Sequence, residues 1–415
     1  MAIDNKDKKV LKSSIEREQN ELACSAEREK IKGSKNLNVP HLRFPEFSGE
    51  WYSYPLTDFM SFKNGMNPDA KRFGRGIKFI SVMDILNNQF ICYDNIRASV
   101  EVIEGDIETY GVNYGDILFQ RSSETLEDVG QANVYLDRKP AVFGGFVIRG
   151  KSKGNYHPVF FRYLLASPTA RKRIIVKGAG AQHFNIGQDG LSRVCLNIPS
   201  IQEQEKIAKL FECVDTRIAT QNKIIEDLKK LKSAIRKKMF SLLKDEYTES
   251  FEINQLLDYE QPTAYIVAND EYSTDTSLTP VLTANKGFIL GYTDEKFGIY
   301  QKGECIIFDD FTMDAKYVSF PFKVKSSAIK ILTAKPNVNL RFMFEYLSYW
   351  ELKSEEHKRH YISEIASLVI ELPSKERQSI IASLMTSLNS KLDIEAKTKI
   401  RYEEQKRYLL SQMFI

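Results

Sequence analysis

The chain repeats itself once, at a fixed offset of 174 residues, over its most helical stretch. One copy begins at Pro199-Ser200 and the other at Pro373-Ser374, and no gap is needed to align them. The matched pairs include Gln204 with Gln378, Ile207 with Ile381, Ala208 with Ala382, Val214 with Leu388, Ile218 with Leu392 and Ile235 with Leu409. Agreement over the length of a helix indicates duplication of a module, a globular part followed by a long helix. The sequence therefore predicts a pseudo-two-fold molecule that performs one task twice.

Apolar residues in both copies alternate at spacings of four and three, which is typical of a heptad seam. The seam positions are Ile207, Phe211, Val214, Ile218 and Leu228 in the first copy and Ile381, Leu388, Leu392 and Leu409 in the second. Ser200 followed by Glu203 predicts a capping box at the first helix start, whereas Arg377 replaces the glutamate in the second copy. Each helix is roughly 60 Å long, more than a domain of this size buries alone. We therefore expect the helices to pair antiparallel; the alternative is that each packs only on its own domain.

The segments before the two long helices contain short β-rich apolar runs, turns and one helix each. Gly115-Asp-Ile-Leu-Phe119 and Gly303-Glu-Cys-Ile-Ile307 are predicted to be equivalent strands. The predicted fold class is α+β: two mixed α/β domains separated by two long antiparallel coiled-coil helices. The predicted limits are a charged helix and extended lead-in at 1–40, a first domain at 41–199, a first helix at 200–247, a second domain at 248–372 and a second helix at 373–415.

Composition excludes several classes of protein. No apolar run approaches the eighteen or so residues of a membrane span, and the N-terminus is polar and lysine-rich, so we expect a cytoplasmic protein with no membrane contact. The five cysteines are scattered and form no CxxC pair, which predicts no zinc site. The net charge of +4 is unevenly spread, since residues 246–373 carry 12 basic and 20 acidic residues. Any nucleic-acid function has to accommodate this acidic second half.

Motifs for catalysis and cofactor binding are missing from the sequence. There is no GxxxxGK[ST] phosphate loop, and Gly178-Ala-Gly180 lacks the third glycine of a GxGxxG turn. The Asn-Pro-Pro-aromatic signature of adenine methyltransferases is also missing, because Asn67-Pro68 is followed by Asp69. We therefore predict no catalytic residue, no metal and no cofactor in this chain.

Two residue patterns keep alternatives open. Paired acids followed by acid-x-lysine hold Mg²⁺ in metal nucleases. The residues in this pattern are Asp309, Asp310, Asp314 and Lys316. They leave a Mg²⁺-dependent DNA endonuclease as one alternative, and a protein-binding coiled-coil scaffold is another. His357 and His360 have i,i+3 helical spacing but no accompanying carboxylates, so a solvated helix face explains them better than a metal site.

Side chains that pair with base edges are concentrated in loops of the first domain and at one turn of the second. Arg and Lys pair with guanine, Asn and Gln with adenine, and Ser and Thr with bases or phosphates. The candidates are Asn64, Lys71, Arg72, Arg75, Arg121, Ser122, Lys177, Gln182, His183 and Asn185 in the first domain and Thr312 and Lys316 in the second. In a duplicated molecule this concentration predicts DNA recognition by both domains.

Several segments resemble a known family over residues 38–415. They are the lead-in Leu42–Trp51 (LRFPEFSGEW), the strand Tyr114–Phe119 (YGDILF) and the helix start Leu196–Gln204 (LNIPSIQEQ), with Glu371–Gln378 as a second copy of the last. These motifs and the duplication resemble the specificity subunits of Type I restriction-modification systems.

The resemblance implies a protein without chemistry of its own. Each of two target-recognition domains would read one half of a split double-stranded DNA sequence. The helix pair would be a spacer and a dock for two methyltransferase subunits, which bring S-adenosylmethionine. Restriction subunits would bring ATP-driven translocation and Mg²⁺-dependent cleavage. Because the second domain is acidic, we expect phosphate contacts mainly from the first domain and the partner subunits.

Overall fold

A computed structural model of the chain describes residues 38–180, 182–243, 248–283, 287–350 and 361–415. The helix predicted near the N-terminus and the His357/His360 pair lie outside these described residues. Within the described ranges, every helix is too short or too polar to cross a membrane.

The chain forms two compact units. The first comprises the described residues up to Thr220 together with Ile400–Ile415, and the second is Gln221–Lys399. Both divisions fall inside a long helix, so each long helix contributes to both units. The domain limits given above from the sequence remain predictions.

The first unit contains a set of short strands and short helices before its long helix. Its strands are β1 Tyr52–Pro55, β2 Met60–Asn64, β3 Phe73–Ile80, β4 Ala98–Val100, β5 Gly111–Val112, β6 Ile117–Gln120, β7 Ser122–Ser123, β8 Ala132–Val134, β9 Ala141–Phe143, β10 Val147–Ser152, β11 Phe184–Asn185 and β12 Cys195–Ile198. Its helices are α1 Val82–Asn87, α2 Asp106–Tyr110, α3 Pro158–Ala166, α4 Pro168–Ile175, α5 Gln188–Ser192 and the first part of α6 Ile201–Leu242.

The second unit is built in the same way from fewer elements. Its strands are β13 Glu249–Glu252, β14 Leu257–Glu260, β15 Thr279–Leu282, β16 Ile289–Thr293, β17 Cys305–Asp309, β18 Ala315–Val318, β19 Lys323–Val324, β20 Ile329–Ala334 and β21 Val369–Leu372. Its helices are α7 Ile253–Leu256, α8 Leu340–Tyr349, the rest of α6 and most of α9 Lys375–Gln412.

Sheet topology repeats between the units. The sheet order β2-β10-β6-β8 in the first unit corresponds to β14-β20-β17-β18 in the second. The sheet β4-β3-β9-β5 corresponds to β16-β15-β19, and the parallel pairing of β3 with β9 recurs between β15 and β19. The pair β1–β12 likewise corresponds to β13–β21. The predicted α+β class and internal duplication are confirmed, and the duplication extends through the globular parts, where sequence similarity is weak.

The predicted match between Gly115–Phe119 and Gly303–Ile307 identifies the right strands but is off by one residue. Phe119 lies opposite Ile148 in the first sheet. In the second sheet Phe308 lies opposite Lys330. Because Lys330 has the same position in its strand as Ile148, Phe119 corresponds to Phe308 rather than to Ile307. The second copy therefore has one more residue between its turn glycine and this phenylalanine. Strand pairing fixes the register because a one-residue slip would turn every side chain to the other face.

The two long helices begin at equivalent residues although their start sequences differ. In the first, Ser200 Oγ accepts a 3.4 Å hydrogen bond from Glu203 N, which is half of the predicted capping box. The Glu203 carboxylate accepts from Nε and Nη2 of Arg43, both at 2.8 Å, because a guanidinium is a stronger donor than a backbone amide. In the second, Ser374 Oγ accepts from Arg377 N at 3.3 Å. The serine cap alone is therefore enough to start α9.

A buried glutamine joins each long helix to the short helix of its domain. Gln204 Oε1 accepts from His157 N at 3.0 Å, and its Nε2 donates to Pro199 O at 3.0 Å. Gln378 repeats both bonds, accepting from Asn339 N at 2.9 Å and donating to Pro373 O at 2.9 Å. His157 and Asn339 are the N-cap residues of α3 and α8. The duplication is thus preserved to individual hydrogen bonds.

We predict that Gln204→Ala lowers the free energy of unfolding by about 1–3 kcal/mol, because it leaves the partly buried His157 backbone amide without its acceptor. Chemical denaturation of the full chain measures the change. Gln202→Ala is the matched control, since Gln202 lies on the same helical turn but is exposed. Equal stability of the two variants would show that the hydrogen bonds of Gln204 contribute nothing.

Within each unit the long helices run antiparallel. In the first unit the rings of Phe211 and Phe414 are 5.7 Å apart, and Lys406 Nζ lies 2.6 Å from Asp215 Oδ1. In the second unit Gln221 donates to Glu395 O at 3.2 Å. The predicted seam residues Ile207, Phe211, Val214, Ile381 and Leu409 are buried, and Ile218, Leu228, Leu388 and Leu392 are half-buried.

Candidate nucleic-acid interface

Four loops of the first unit meet at one end of the sheet β2-β10-β6-β8. We call this surface the loop face; it comprises residues 64–67, 121–123, 144–146 and 182–185. Arg121, directly after β6, joins three of the loops. Its backbone N donates to Phe146 O at 2.8 Å, its Nη1 donates to Gly145 O at 3.2 Å, and its O accepts from Ile186 N at 2.9 Å.

The loop at residues 182–185 belongs to a tight hairpin. Ala179 and Asn185 exchange two backbone hydrogen bonds of 2.9 Å. Gly180 adopts a φ of 145°, and a β-carbon there would overlap the carbonyl oxygen of His183. Glycine is therefore required at this position.

Polar side chains of this hairpin are accessible beside Arg121. Asn185 pairs with Ser122 between β11 and β7, and Ser122 Oγ donates to Asn185 Oδ1. Gln182, His183 and Asn185 are exposed. Lys177, which follows α4, is exposed as well. The structure thus brings together five of the sequence-predicted residues, Arg121, Ser122, Gln182, His183 and Asn185.

The loops at 64–67 and 144–146 are in direct contact. The side-chain amide of Asn67 lies against Gly145, and a β-carbon at Gly65 would overlap the carbonyl oxygen of Gly144, so glycine is required at position 65. Gly65 N donates to Val147 O at 3.1 Å. Asn64, another predicted residue, ends β2 and is half-buried beside these loops.

The basic residues predicted near β3 have other partners. Arg72 forms an ion pair with Asp106 and donates from Nε to Glu101 O at 2.8 Å. A hydrogen bond from Ile103 N, together with Arg72, holds the pKa of Asp106 below its ordinary value. Arg75 Nη2 lies 2.7 Å from Glu101 Oε2, and Lys71 is exposed. Arg72 and Arg75 therefore bind acidic neighbours rather than residues of the loop face.

The candidates of the second unit lie around the turn between β17 and β18. Thr312 is exposed, and its backbone N donates to Asp309 Oδ1 at 2.9 Å. Lys316 is half-buried in β18, opposite Ile307. Asp309 thus shapes the turn that presents Thr312.

Two acids of the nuclease-like pattern, Asp309 and Asp310, have roles within the fold. Asp310 is buried, with Oδ2 3.4 Å from Lys330 Nζ and Oδ1 accepting from Tyr361 N at 2.8 Å. Across the ranges that the structure describes, no group of three or more His, Cys, Asp or Glu residues is arranged to hold a metal ion. Asp309 and Asp310 thus serve the fold, and nothing supports the endonuclease alternative.

Both units use one backbone frame at this end of the sheet but carry different side chains on it. The bond from Arg121 N to Phe146 O at 2.8 Å recurs from Asp310 N to Ala328 O at 2.9 Å. Position by position, Arg121 corresponds to Asp310 and Phe146 to Ala328. Phe146, 69% exposed, was missed by sequence reasoning. The sequence feature that indicates its exposure is the Gly144-Gly145 pair, which predicts a turn within an apolar run.

Comparison with known proteins identifies this duplicated domain. The profile of the Type I restriction modification DNA specificity domain family matches residues 48–230 and 246–404. The Type I restriction enzyme EcoR124I/EcoR124II specificity subunit of Escherichia coli is 39% identical over 178 residues, covering 38% of this chain and 43% of that subunit. The putative type I restriction enzyme MjaX specificity subunit of Methanocaldococcus jannaschii is 23% identical over 411 residues, covering 91% of this chain and 96% of that subunit.

A solved structure has the same fold. The S subunit of a Type-I restriction-modification system from M. genitalium superposes with a TM-score of 0.58 at 15% identity, covering 91% of this chain and 99% of that one. Two DNA specificity domains on one chain define a duplicated recognition protein. The chain belongs to the family of Type I restriction-modification specificity subunits, which are non-catalytic, and it carries two recognition domains.

Proposed function

We propose that the chain reads a bipartite double-stranded DNA target, one half-site per recognition domain, with the loop face as the reading surface of the first domain. The observation that carries this proposal is the shared frame with different side chains, Arg121 and Phe146 against Asp310 and Ala328. Reading two different half-sites from one scaffold requires a constant backbone and variable side chains. In this proposal Thr312 and Lys316 belong to the reading surface of the second domain.

The long helices are the proposed dock for two methyltransferase subunits. The helix α6 exposes Ile224 and Leu231, and α9 exposes Ile380, Leu384 and Ile394. Apolar residues exposed along helices that are already paired favour a further protein contact. In this proposal S-adenosylmethionine, ATP and Mg²⁺ act on the methyltransferase and restriction subunits, and the complex works in the cytoplasm.

The charge distribution indicates that the two domains contribute unequally to phosphate contacts. Phosphate contacts dominate the affinity of proteins for DNA and require basic residues. The second domain has a net negative charge. We therefore infer that the first domain and the partner subunits supply most phosphate contacts.

Sequencing of methylated bases in a host that expresses the full chain with a methyltransferase subunit tests the proposal. We expect one methylated motif made of two unlike half-sites with a fixed spacer. Methylation without sequence preference would favour the scaffold alternative instead. DNA nicking by the purified chain with Mg²⁺ alone would support the endonuclease alternative.

We predict that alanine at Arg121, Gln182 and Asn185 relaxes recognition of the first half-site. Each lost bidentate contact with a base is worth about 1–3 kcal/mol of discrimination. Lys177→Ala is the contrasting variant, because a phosphate contact should weaken binding to all sequences and reduce the salt dependence. Methylated-base mapping measures preference and salt titration measures affinity. An unchanged motif in the triple variant would remove these residues from the reading surface.

A further inference from the structure

Phe146 is exposed on a turn whose backbone is held by hydrogen bonds. Its side chain is 69% exposed, whereas Phe143 and Val147 on either side of the turn are fully buried. Arg121 holds the turn through the two hydrogen bonds to Gly145 O and Phe146 O. A third bond of 2.9 Å joins Val147 N to Gly144 O. The backbone that carries the phenyl ring is therefore tied to Arg121 at the loop face.

The fold does not require this ring. The second domain repeats the backbone bond of Arg121 N to Phe146 O as Asp310 N to Ala328 O, with an alanine at the equivalent position. A singly exposed apolar residue needs no explanation by itself. Phe146 differs because it lies beside Arg121, Asn67 and the hairpin that bears Asn185, where hydrogen-bonding groups predominate.

We propose that Phe146 packs against the C5-methyl group of a thymine in the first half-site. This inference rests on the proposed function and names one of its contacts. The edges that Arg, Asn and Gln read are in the major groove, where the thymine methyl is the apolar group that a base pair offers. An apolar ring among polar side chains that read bases matches such an edge, with a thymine next to the base pair that Arg121 contacts.

Replacement of thymine by deoxyuridine removes only the methyl group and tests the contact directly. Each thymine of the methylated motif, on either strand, is replaced in turn, and affinity is measured for the full chain assembled with its methyltransferase subunit. We expect one position of the first half-site to weaken binding about fourfold, as loss of one buried methyl predicts. In Phe146→Ala the same replacement should have no effect, while replacements elsewhere keep theirs.

Phe297→Ala is the matched control, because Phe297 is 71% exposed in the second unit. It should leave the response of the first half-site to deoxyuridine unchanged. The proposal is overturned if wild type and Phe146→Ala respond alike at every thymine, or if the first half-site contains no thymine. It is also overturned if 2-aminopurine fluorescence shows base unstacking that depends on Phe146, since the ring would then insert between base pairs.

The same measurements separate this inference from the proposed function. If the wild-type complex prefers its motif but Phe146 and thymine show no coupling, only the proposed methyl contact is contradicted. If the wild-type complex shows no sequence preference, the proposed function is contradicted as well. Equal affinity of wild type and Phe146→Ala for non-target DNA verifies that the variant is folded and assembled.

Discussion

A fragment of residues 1–247 is expected to form a stable dimer and to direct methylation to a palindrome. The fragment lacks the end of α9, which covers Phe211 in the full chain through Leu409, Met413 and Phe414. Its own helix carries Ile235, Met239 and Phe240 at the corresponding positions of the repeat. A second copy can therefore replace a Leu-Met-Phe surface with an Ile-Met-Phe surface of nearly the same shape.

Polar contacts of the helix pair would also be preserved in this dimer. Lys232 corresponds to Lys406, whose Nζ lies 2.6 Å from Asp215 Oδ1. Gln221 corresponds to Glu395, and these two residues contact each other in the full chain. Corresponding residues of two copies contact each other where the two-fold axis passes. In the dimer Gln221 would therefore contact Gln221 of the second copy. Two glutamine amides can hydrogen-bond to each other without a charge.

The dimer would carry two copies of the first recognition domain in inverted orientation. With methyltransferase present, it should methylate the first half-site and its inverted repeat, at a similar spacing because the helix length is unchanged. Light scattering determines the mass of the fragment, and mapping of methylated bases determines its target. A stable monomer would contradict the pairing argument. A dimer that still recognised the asymmetric site would contradict the link between the repeat and the half-site.

The complementary fragment, residues 248–415, is the matched control. Its two-fold dimer would place Glu395 against Glu395, and like charges at short range repel. In the full chain Lys391 and Gln221 hold the pKa of Glu395 below its ordinary value, so the carboxylate is charged at neutral pH. The fragment should therefore dimerise more weakly than residues 1–247, and Glu395→Gln should strengthen its dimer. Protonation should act in the same direction, with association rising as the pH falls.

The sequence predicts those parts of the fold that local patterns determine. The helices α6 and α9 begin directly after Ser200 and Ser374, because a serine cap and a heptad pattern are local signals. The duplication of the globular parts was predicted, but only one strand pair was matched by residue, because the sequences diverged while strand order was kept. The extra residue before Phe308 becomes visible only through the pairing of its strand with Lys330.

The candidate site was predicted only in part, because it is assembled from distant segments. Arg121 and Asn185 were identified by residue type, yet nothing local indicates that they lie side by side. Arg72 has the same residue type but is paired with Asp106 in a partly buried position. Residue type therefore indicates what a side chain can bind, while tertiary contacts decide whether it is available. Glu345 shows the same effect in the second unit, where an ordinary-looking helical glutamate is nearly fully buried.

Glu345 joins three helices through one carboxylate. Its side chain, on α8, is 3% exposed. Oε2 lies 2.7 Å from Arg236 Nη2 on α6. Oε1 accepts from Asn389 Nδ2 on α9 at 3.2 Å and lies 3.8 Å from Lys232 Nζ on α6. Burial lowers the pKa of Lys232, and Glu345 opposes that shift. One buried acid thus neutralises two partly buried cations and ties α8 to both long helices.

We predict that Glu345→Ala lowers the free energy of unfolding by about 3–5 kcal/mol, since removal of one partner leaves buried charge uncompensated. Chemical denaturation of the full chain measures the loss. The control removes the whole network, with Glu345→Leu, Lys232→Met and Arg236→Leu in one chain; leucine is already present at Leu410, the position that corresponds to Arg236. Because apolar replacement of a buried ion network is often neutral, this variant should be more stable than Glu345→Ala. A loss below about 1 kcal/mol in Glu345→Ala would mean that solvent screens these charges as it does at a surface.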